Sequence, residues 1–331
     1  MKNKKIIFWC SDINKFNGEG NLALKFINDI KKNNTNIKIF IKTFSKKKLH
    51  LIRYFFGIYT DRFIVPFCGL FYLWYVYLFK KNYKICYVNY LPLWNFILFA
   101  ALPPGTIIGP ITGGSKYLKK NILNYFVRKI LFSFFYKLSI FNLKIRNKNF
   151  LFATDLLKDE ASNYHKFLYN YVFNNFKYID KKYSRKYDLI FYLKQHHNKN
   201  TNLLIKVAEK LSKNFKIIVI GEKINNKKIT SFGKISTKKL YSILQITKYS
   251  FISTENMYSL FSIDCLRNGV HIFYHKESSP LKQVKKNMTG LNYNNFDKLI
   301  KNLESRLNLP YKRQNKILFK NKDKFKKYFK Y

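Results

Sequence analysis

The sequence predicts an α/β protein made of two parallel-sheet units, and three observations carry that expectation. Short apolar runs alternate with helix-period segments through residues 187–269. The same strand, turn and helix order opens the chain near Lys5. The length of 331 residues fits two units of about 150 residues each.

Leu189 to Leu193 is a short apolar run suited to a parallel strand buried on both faces. Leu203, Leu204, Val207, Ala208 and Leu211 then recur at helical spacing, and Ile217 to Ile220 gives a second strand ending on Gly221. This is a βαβ unit. After Ser236 and Thr237, a helix over Lys239 to Gln245 leads to a third strand around Tyr249 to Ser253. Strand ends facing such turns are where α/β sheets hold ligands.

The N-terminal half repeats the pattern. Lys5 to Cys10 forms an apolar strand, and a loop and helix follow with Leu22, Leu24, Phe26, Ile27 and Ile30 inward. Gly18 and Gly20 bracket Glu19 at the strand-to-helix turn, where a missing Cβ lets backbone approach a ligand and a helix start can face a phosphate. A GxG alone is a weak signal, because many βα turns need glycine for geometry. A second glycine loop, GPITGGS, spans residues 109–115.

The turn after the first C-terminal strand suits a diphosphate. Lys194 and Lys199 sit five apart between strand and helix, so both ammonium groups can reach an anion near the helix N-terminus, whose free N–H groups and dipole add to the attraction. Two solvated lysines in a lysine-rich protein is the plain alternative.

This stretch, FYLKQHHNKNTNLLI, resembles the donor half of the large retaining, nucleotide-sugar-dependent family of GT-B glycosyltransferases. That family places Arg and Lys five apart in this turn; here Lys194 replaces the Arg. It also carries two carboxylates eight apart, the second five residues before a Gly. Counting back from Gly269 puts Asp264 at the second position and Asn256 at the first, with Glu255 one residue early. The loop containing Thr112, Gly113 and Gly114 is similar to a Gly-Pro-x-x-Gly-Gly segment in the acceptor half of some members. The resemblance spans roughly residues 5–310, with degenerate motifs.

The resemblance implies two Rossmann-like domains facing across a cleft and transfer of a sugar from a nucleotide-diphosphate donor to a hydroxyl, with retention and without an essential metal or other cofactor. Lys194 and Lys199 would then stabilise the departing diphosphate, Asp264 would accept from ribose hydroxyls, and Glu255 or Asn256 would hold the sugar. Backbone at Gly233 to Ile235 would contact the base, and Gly18 and Gly20 would approach the phosphates. The implied acceptor is a lipid-linked or cell-surface glycan precursor of the polysaccharide or lipopolysaccharide kind. The departures from the motif equally suit a non-catalytic GT-B relic or partner subunit.

The expected organisation is an acceptor-side domain over 1–155, ending on the strand FLFATD whose Thr154 and Asp155 would face the cleft. A connector over 156–186, a donor domain over 187–309 and a tail over 310–331 follow. That tail mixes Lys with aromatics and is either a crossover helix or a basic anchor.

Charge bounds the partners. Lys and Arg number 63 against 17 Asp and Glu, a formal +46, which attracts nucleic acid, anionic lipid or phosphorylated substrates. The accompanying Asn, Ile, Phe and Tyr are also what an AT-rich genome encodes. The basic residues are spread along the whole chain without a zinc-finger, recognition-helix or RNP-like signature, which argues against nucleic acid as the main partner.

Local sequence favours an anionic membrane surface. Phe63 to Phe79 is uncharged and closed by Arg62, Lys80 and Lys81, but falls short of the roughly 20 residues of a spanning helix. Pro66, Gly69 and the many aromatics suit an interfacial or a core helix. Ile85 to Ile111 is apolar too, with Pro92, Pro103, Pro104 and Pro110 expected to break it into strand and loop pieces. Residues 123–146 interleave bulky apolar side chains with Arg128, Lys129, Lys137, Lys144 and Arg146, as either a lipid-facing helix or a core helix with a wet face would.

Cys10, Cys68, Cys86 and Cys265 are scattered without metal spacing, as reduced thiols of a cytoplasmic protein. The N-terminus shows no charged-then-apolar leader, so the expected location is the inner face of the cell membrane. His196 and His197 lack a third ligand at suitable spacing. His271 and His275 share one face of a strand.

Overall fold

The computed structural model describes residues 4–10, 13, 18–34, 36–57, 60–88, 91–92, 95–112, 126–146, 150–155, 167–168, 171, 184–194, 200–253, 259–278, 282–311 and 322–330. The chain divides into unit 1 (Met1–Gly114, Ile122–Asn175 and Phe319–Tyr331) and unit 2 (Ser115–Asn121 and Phe176–Leu318).

Unit 1 is built on a parallel sheet of order β2-β1-β3-β5, from β1 (Lys4–Trp9), β2 (Ile37–Lys42), β3 (Tyr83–Tyr87) and β5 (Ile107–Ile108). Ile7 pairs with Phe40 on one side and Ile85 on the other. Two short parallel pairs accompany it, β4 (Leu91–Pro92) with β6 (Ile111–Thr112) and β7 (Phe150–Leu151) with β8 (Phe167–Leu168). Alternation sends Ile7 and Trp9 to one face of β1 and Ile6 and Phe8 to the other, and all four are buried.

Helix α1 (Gly18–Asn33) buries Leu22, Ala23, Phe26, Ile27 and Ile30. Leu24, expected inward, is half-buried because Ala23 occupies the inward position beside Leu22. Helix α2 (Lys46–Phe56) is capped by Ser45, whose Oγ accepts from the Lys48 N–H at 3.3 Å. A π-helical turn, Thr60–Ile64, leads into α3 (Val65–Phe79), where Pro66 is tolerated in the first turn. Gly69 lies against the Trp9 indole, so close that an added Cβ would fall 2.0 Å from Nε1.

The expectation of only strand and loop between Ile85 and Ile111 is corrected. The prolines bracket a helix, α4 (Phe96–Ala101), and Asn95 caps it by accepting from the Leu98 N–H at 3.3 Å. Helix α5 (Phe132–Arg146) follows a π-helical turn, Val127–Leu131. The expected strand FLFATD shortens to β7 plus a bridge from Phe152 to Ile111, and Thr154 and Asp155 are buried rather than displayed at a strand end. Most of the connector 156–186 lies outside the described residues.

Unit 2 is a six-stranded parallel sheet of order β11-β10-β9-β12-β13-β14. Its elements are β9 (Tyr187–Tyr192), α6 (Thr201–Leu211), β10 (Ile217–Ile220), β11 (Ile229–Ser231), α7 (Thr237–Gln245), β12 (Thr247–Ile252), α8 (Leu260–Arg267), β13 (His271–His275), β14 (Met288–Leu291) and α9 (Phe296–Leu307). Leu189 pairs with Ile217 and Tyr249, which fixes β9 at the centre. Leu204, Val207 and Leu211 of α6 and Leu299, Ile300 and Leu303 of α9 share one core with Phe191, Phe251 and Phe273; Leu203 packs at its edge.

Arg185 closes the opposite end of this unit. Its Nη1 donates to the Leu244 and Thr247 carbonyls at 2.8 and 2.7 Å, and Nη2 to Asn268 at 2.9 Å, satisfying orphan carbonyls where α7 and α8 end. After unit 2 the chain re-enters unit 1 as α10 (Lys322–Tyr328). There Phe325 and Phe329 pack on Tyr171, and the Asn34 amide donates to the Phe329 carbonyl. Among the described residues no helix is long and apolar enough to cross a membrane.

Candidate functional site

Parallel strands joined by crossover helices place every helix N-terminus at the carboxyl edge of the sheet. In unit 2 the strand order reverses between β9 and β12, and such a reversal opens a crevice at that edge. A small, shallow recess lies there, lined by Tyr192, Leu204, Phe251, Ser253, Ser259 and Phe261 among others. Tyr192 and Phe261 stack across it, with ring centroids 5.1 Å apart. Burial, followed by the nearby Glu222 carboxylate, raises the Tyr192 phenol pKa, so it stays a neutral donor.

Ser253 and Ser259 supply the hydroxyl groups of its lining, and further polar residues connect to them or follow in the chain. Lys194 is exposed just past β9, and its carbonyl accepts from the Thr201 hydroxyl at 2.8 Å. Asn200 adopts the left-handed region at φ 34°, and its amide donates to Ser253 Oγ at 3.3 Å. Burial raises the Tyr293 phenol pKa, and the neighbouring Ser253 hydroxyl acts in the opposite direction. His275 Nε2 meets the Tyr293 carbonyl at 3.1 Å, and the two rings pack edge to face. Ser259 caps α8, its Oγ accepting from the Ser262 N–H at 3.1 Å.

Gly221 shapes the rim between β10 and β9. Its φ is 97°, and an added Cβ would fall 2.1 Å from the Leu193 carbonyl oxygen. Its N–H donates to the Gly233 carbonyl at 3.2 Å, so Gly233 prolongs the β10–β11 pairing; Ile235 follows, half-buried, before the α7 cap Ser236.

Asp264 sits in the second turn of α8. Its Oδ1 accepts from the Tyr241 hydroxyl at 3.0 Å and lies 3.7 Å from Arg267 Nη1, which itself donates to the Tyr241 hydroxyl at 2.8 Å. Burial first, then Asp264, pushes the Tyr241 pKa up to about 12. Asp264 therefore joins α7 to α8. Gly269, from which its position was counted, ends α8 in the left-handed conformation at φ 71°.

Other expected site residues are placed unevenly. Lys199, Glu255, Asn256, Gly113 and Gly114 lie outside the described residues, as do His196 and His197. Thr112 ends β6 in unit 1. Gly18 and Gly20 form the first turn of α1 instead of the loop before it, with Gly20 buried; first-turn N–H groups need no intrahelical acceptor, so the helix starts earlier than expected. His271 meets Thr289 Oγ1 at 2.8 Å and is a satisfied strand histidine. Among the described residues no three His, Cys, Asp or Glu side chains gather as a metal site would require.

Sequence reasoning missed Asn200, Ser253 and Tyr293. Only the strand-end position of Ser253 offered a signal.

Two solved structures align with nearly the whole chain. One is the Methanocaldococcus jannaschii UDP-GlcNAc 2-epimerase in complex with UDP-GlcNAc and UDP, with TM-score 0.52, 11% identity and 98% of each chain covered. The other is WaaG, a glycosyltransferase involved in lipopolysaccharide biosynthesis, with TM-score 0.53, 10% identity, and 92% of this chain and 90% of WaaG covered. The fold is GT-B. No protein-family model and no curated protein matches the sequence. Within the GT-B fold the recess belongs to the C-terminal unit, the one whose sequence resembles a nucleotide-sugar donor domain.

Proposed function

We propose that this chain is a glycosyltransferase moving a sugar from a nucleotide-diphosphate donor to a saccharide hydroxyl, with retention and without an essential metal. The observation that carries the proposal is the β9–β12 recess. It is a shallow aromatic-walled recess at the strand-order reversal, with Ser259, the cap of α8, on its lining and Lys194 following β9, the strand whose Tyr192 lines it. Cations and helix N-termini there would stabilise charge developing on the departing diphosphate. Glu255 or Asn256 would hold the sugar, Asp264 the ribose, and Gly233 to Ile235 the base. Gly18, Gly20 and the Thr112 to Gly114 loop would serve phosphate and acceptor from unit 1. The acceptor is a lipid-linked or cell-surface glycan precursor, and the protein works peripherally on the inner face of the cell membrane.

A thermal-shift panel of UDP-, GDP- and CMP-sugars tests the donor. A ligand at 100 times its Kd adds about 2.7 kcal/mol of stability. Lys199→Ala is expected to weaken the responding donor by about 1.5–3 kcal/mol, and equal binding by wild type and variant would remove the lysine turn from the site. NMR of the product separates transfer to an acceptor from epimerisation of the nucleotide sugar itself.

The second reading is a non-catalytic GT-B subunit. It is favoured by the replacements at Lys194, Asn256 and Asp264, and by the engagement of Asp264 with Tyr241 and Arg267. Under that reading the wild type binds nucleotide weakly or not at all and transfers no sugar to its acceptor, whereas an active wild type with unchanged kinetics in Asp264→Ala, Glu255→Ala and Asn256→Ala would only remove those residues from the active site. A nucleic-acid binder would instead show affinity falling steeply with salt.

A further inference from the structure

The geometry points to the outer surface of the α3, α4 and α5 layer of unit 1 as a docking surface for an anionic lipid bilayer. This deepens the membrane part of the proposed function and is independent of its donor chemistry.

The three helices cover one face of the unit 1 sheet. Leu70, Leu73 and Val76 of α3, Leu98 and Phe99 of α4, and Tyr136, Ile140 and Leu143 of α5 share a single core with Ile7, Trp9 and Ile85. The layer is tied laterally as well. Trp74 Nε1 donates to the Ala101 carbonyl at 2.7 Å, Phe96 stacks on Phe135 at 5.1 Å, and the Arg146 guanidinium donates to the Ala100 carbonyl.

The opposite faces of these helices ought to be polar, yet that of α3 is apolar and that of α5 mixes large apolar side chains with lysines. On α3, Phe71, Tyr75, Leu78 and Phe79 fall at i, i+4, i+7 and i+8, and all four are exposed, Phe71 by 70% and Phe79 by 71%. On α5, Phe134, Phe141 and Ile145 are exposed in the same manner, with Ile97 of α4 between the two helices in sequence. Tyr54 and Phe55 stand exposed at the end of α2, which runs into the turn before α3. A helix already buried on one side gains nothing for folding from a second apolar stripe.

Charge selects the occupant. Lys80, Lys81 and Lys84 follow α3 directly, and Lys129, Lys137 and Lys144 lie exposed along the α5 segment. Lys80 Nζ stands 5.9 Å from the Tyr75 ring centroid, an aromatic and a cation at one level, as at a membrane interface. Asp61 is the sole acidic residue between Ile37 and Thr154. An apolar patch flanked by basic residues complements an anionic leaflet. The 15 residues of α3 span about 22 Å, short of the roughly 30 Å hydrocarbon core, so the helix lies on the bilayer and does not cross it.

The test is co-sedimentation of the full chain with phosphatidylcholine vesicles, with and without phosphatidylglycerol. Wild type is expected to bind the anionic vesicles at least about tenfold better, and 1 M salt to weaken that binding. Phe71→Ser/Phe79→Ser and, separately, Lys80→Glu/Lys81→Glu should each lower partitioning about tenfold while circular dichroism and Tm stay unchanged. Failure of folded wild type to bind anionic vesicles, or equal binding by both double variants, overturns the inference. So does self-association by light scattering that the serine variant abolishes, which would make the occupant a second copy. Thermal shift with nucleotide sugars on the same samples keeps the two proposals apart: vesicle binding without any sugar response rejects the donor reading alone.

Discussion

Helix α3 of unit 1 and helix α9 of unit 2 bury their inner faces by the same rule and treat water in opposite ways. Leu70, Leu73 and Val76 on α3 match Leu299, Ile300 and Leu303 on α9 as core contacts. The outer face of α9 is Lys298, Lys301, Ser305 and Arg306, whereas that of α3 is Phe71, Tyr75, Leu78 and Phe79. Folding therefore determines the inner faces only. What differs outside reflects the medium each helix meets: water for α9 and, on our inference, lipid for α3.

The sharpest challenge to this comparison lies within α3 itself. Leu73→Ala empties a fully buried position and should cost about 2–5 kcal/mol in urea unfolding. A loss below about 1 kcal/mol would mean that the inner face is not core.

The next test falls on unit 2. Gly221→Ala places a Cβ against the Leu193 carbonyl in a left-handed conformation, and a loss of about 2–4 kcal/mol is expected, with distortion of the recess beside it. Retained stability would show that the β9–β10 rim is less fixed than its hydrogen bonds imply.

Acid gives a somewhat smaller effect, again in unit 2. Burial first, then the Arg306 charge, lowers the His271 pKa from 6.5 to about 4. Between those values the unfolded chain binds the proton and the folded chain does not. The contribution is thus complete above pH 6.5 and is lost as pH falls toward 4, on the order of 3 kcal/mol. His271→Gln should flatten that part of the stability profile, and an unaltered acid slope would reject it.

The smallest expected effect sharpens the comparison most. Phe71→Ser, two residues from Leu73 but on the outer face of α3, should alter stability by no more than about 0.5 kcal/mol. A large loss would mean that the stripe serves folding.

Much of unit 2 was legible because its signals are local. Leu189 to Leu193 and Ile217 to Ile220 are apolar runs too short for helices, and Gly221 and Gly269 stand where positive φ is required. Strands β11 and β14 were not legible: three or four residues, flanked by Lys and Asn, carry no period. Helix α4 was misjudged because its prolines were taken as interruptions when they are boundaries. At the candidate site, Lys194 could be named from its turn. Asn200 and Ser253 could not, since their hydrogen bond joins positions 53 residues apart in sequence.

The sequence by itself determined the α/β class, the strand order in time along the chain and the apolar faces that meet inside each unit, because side-chain period and glycine placement act over a few residues. Only the tertiary structure decided which strands became neighbours, and so where the order reverses and a recess opens. It also decided that Asp264 would hold Tyr241 and that the aromatics of α3 would divide between core and surface. Both outcomes depend on which element packs against which, and that is settled by burial summed over the whole core rather than by any local run of residues.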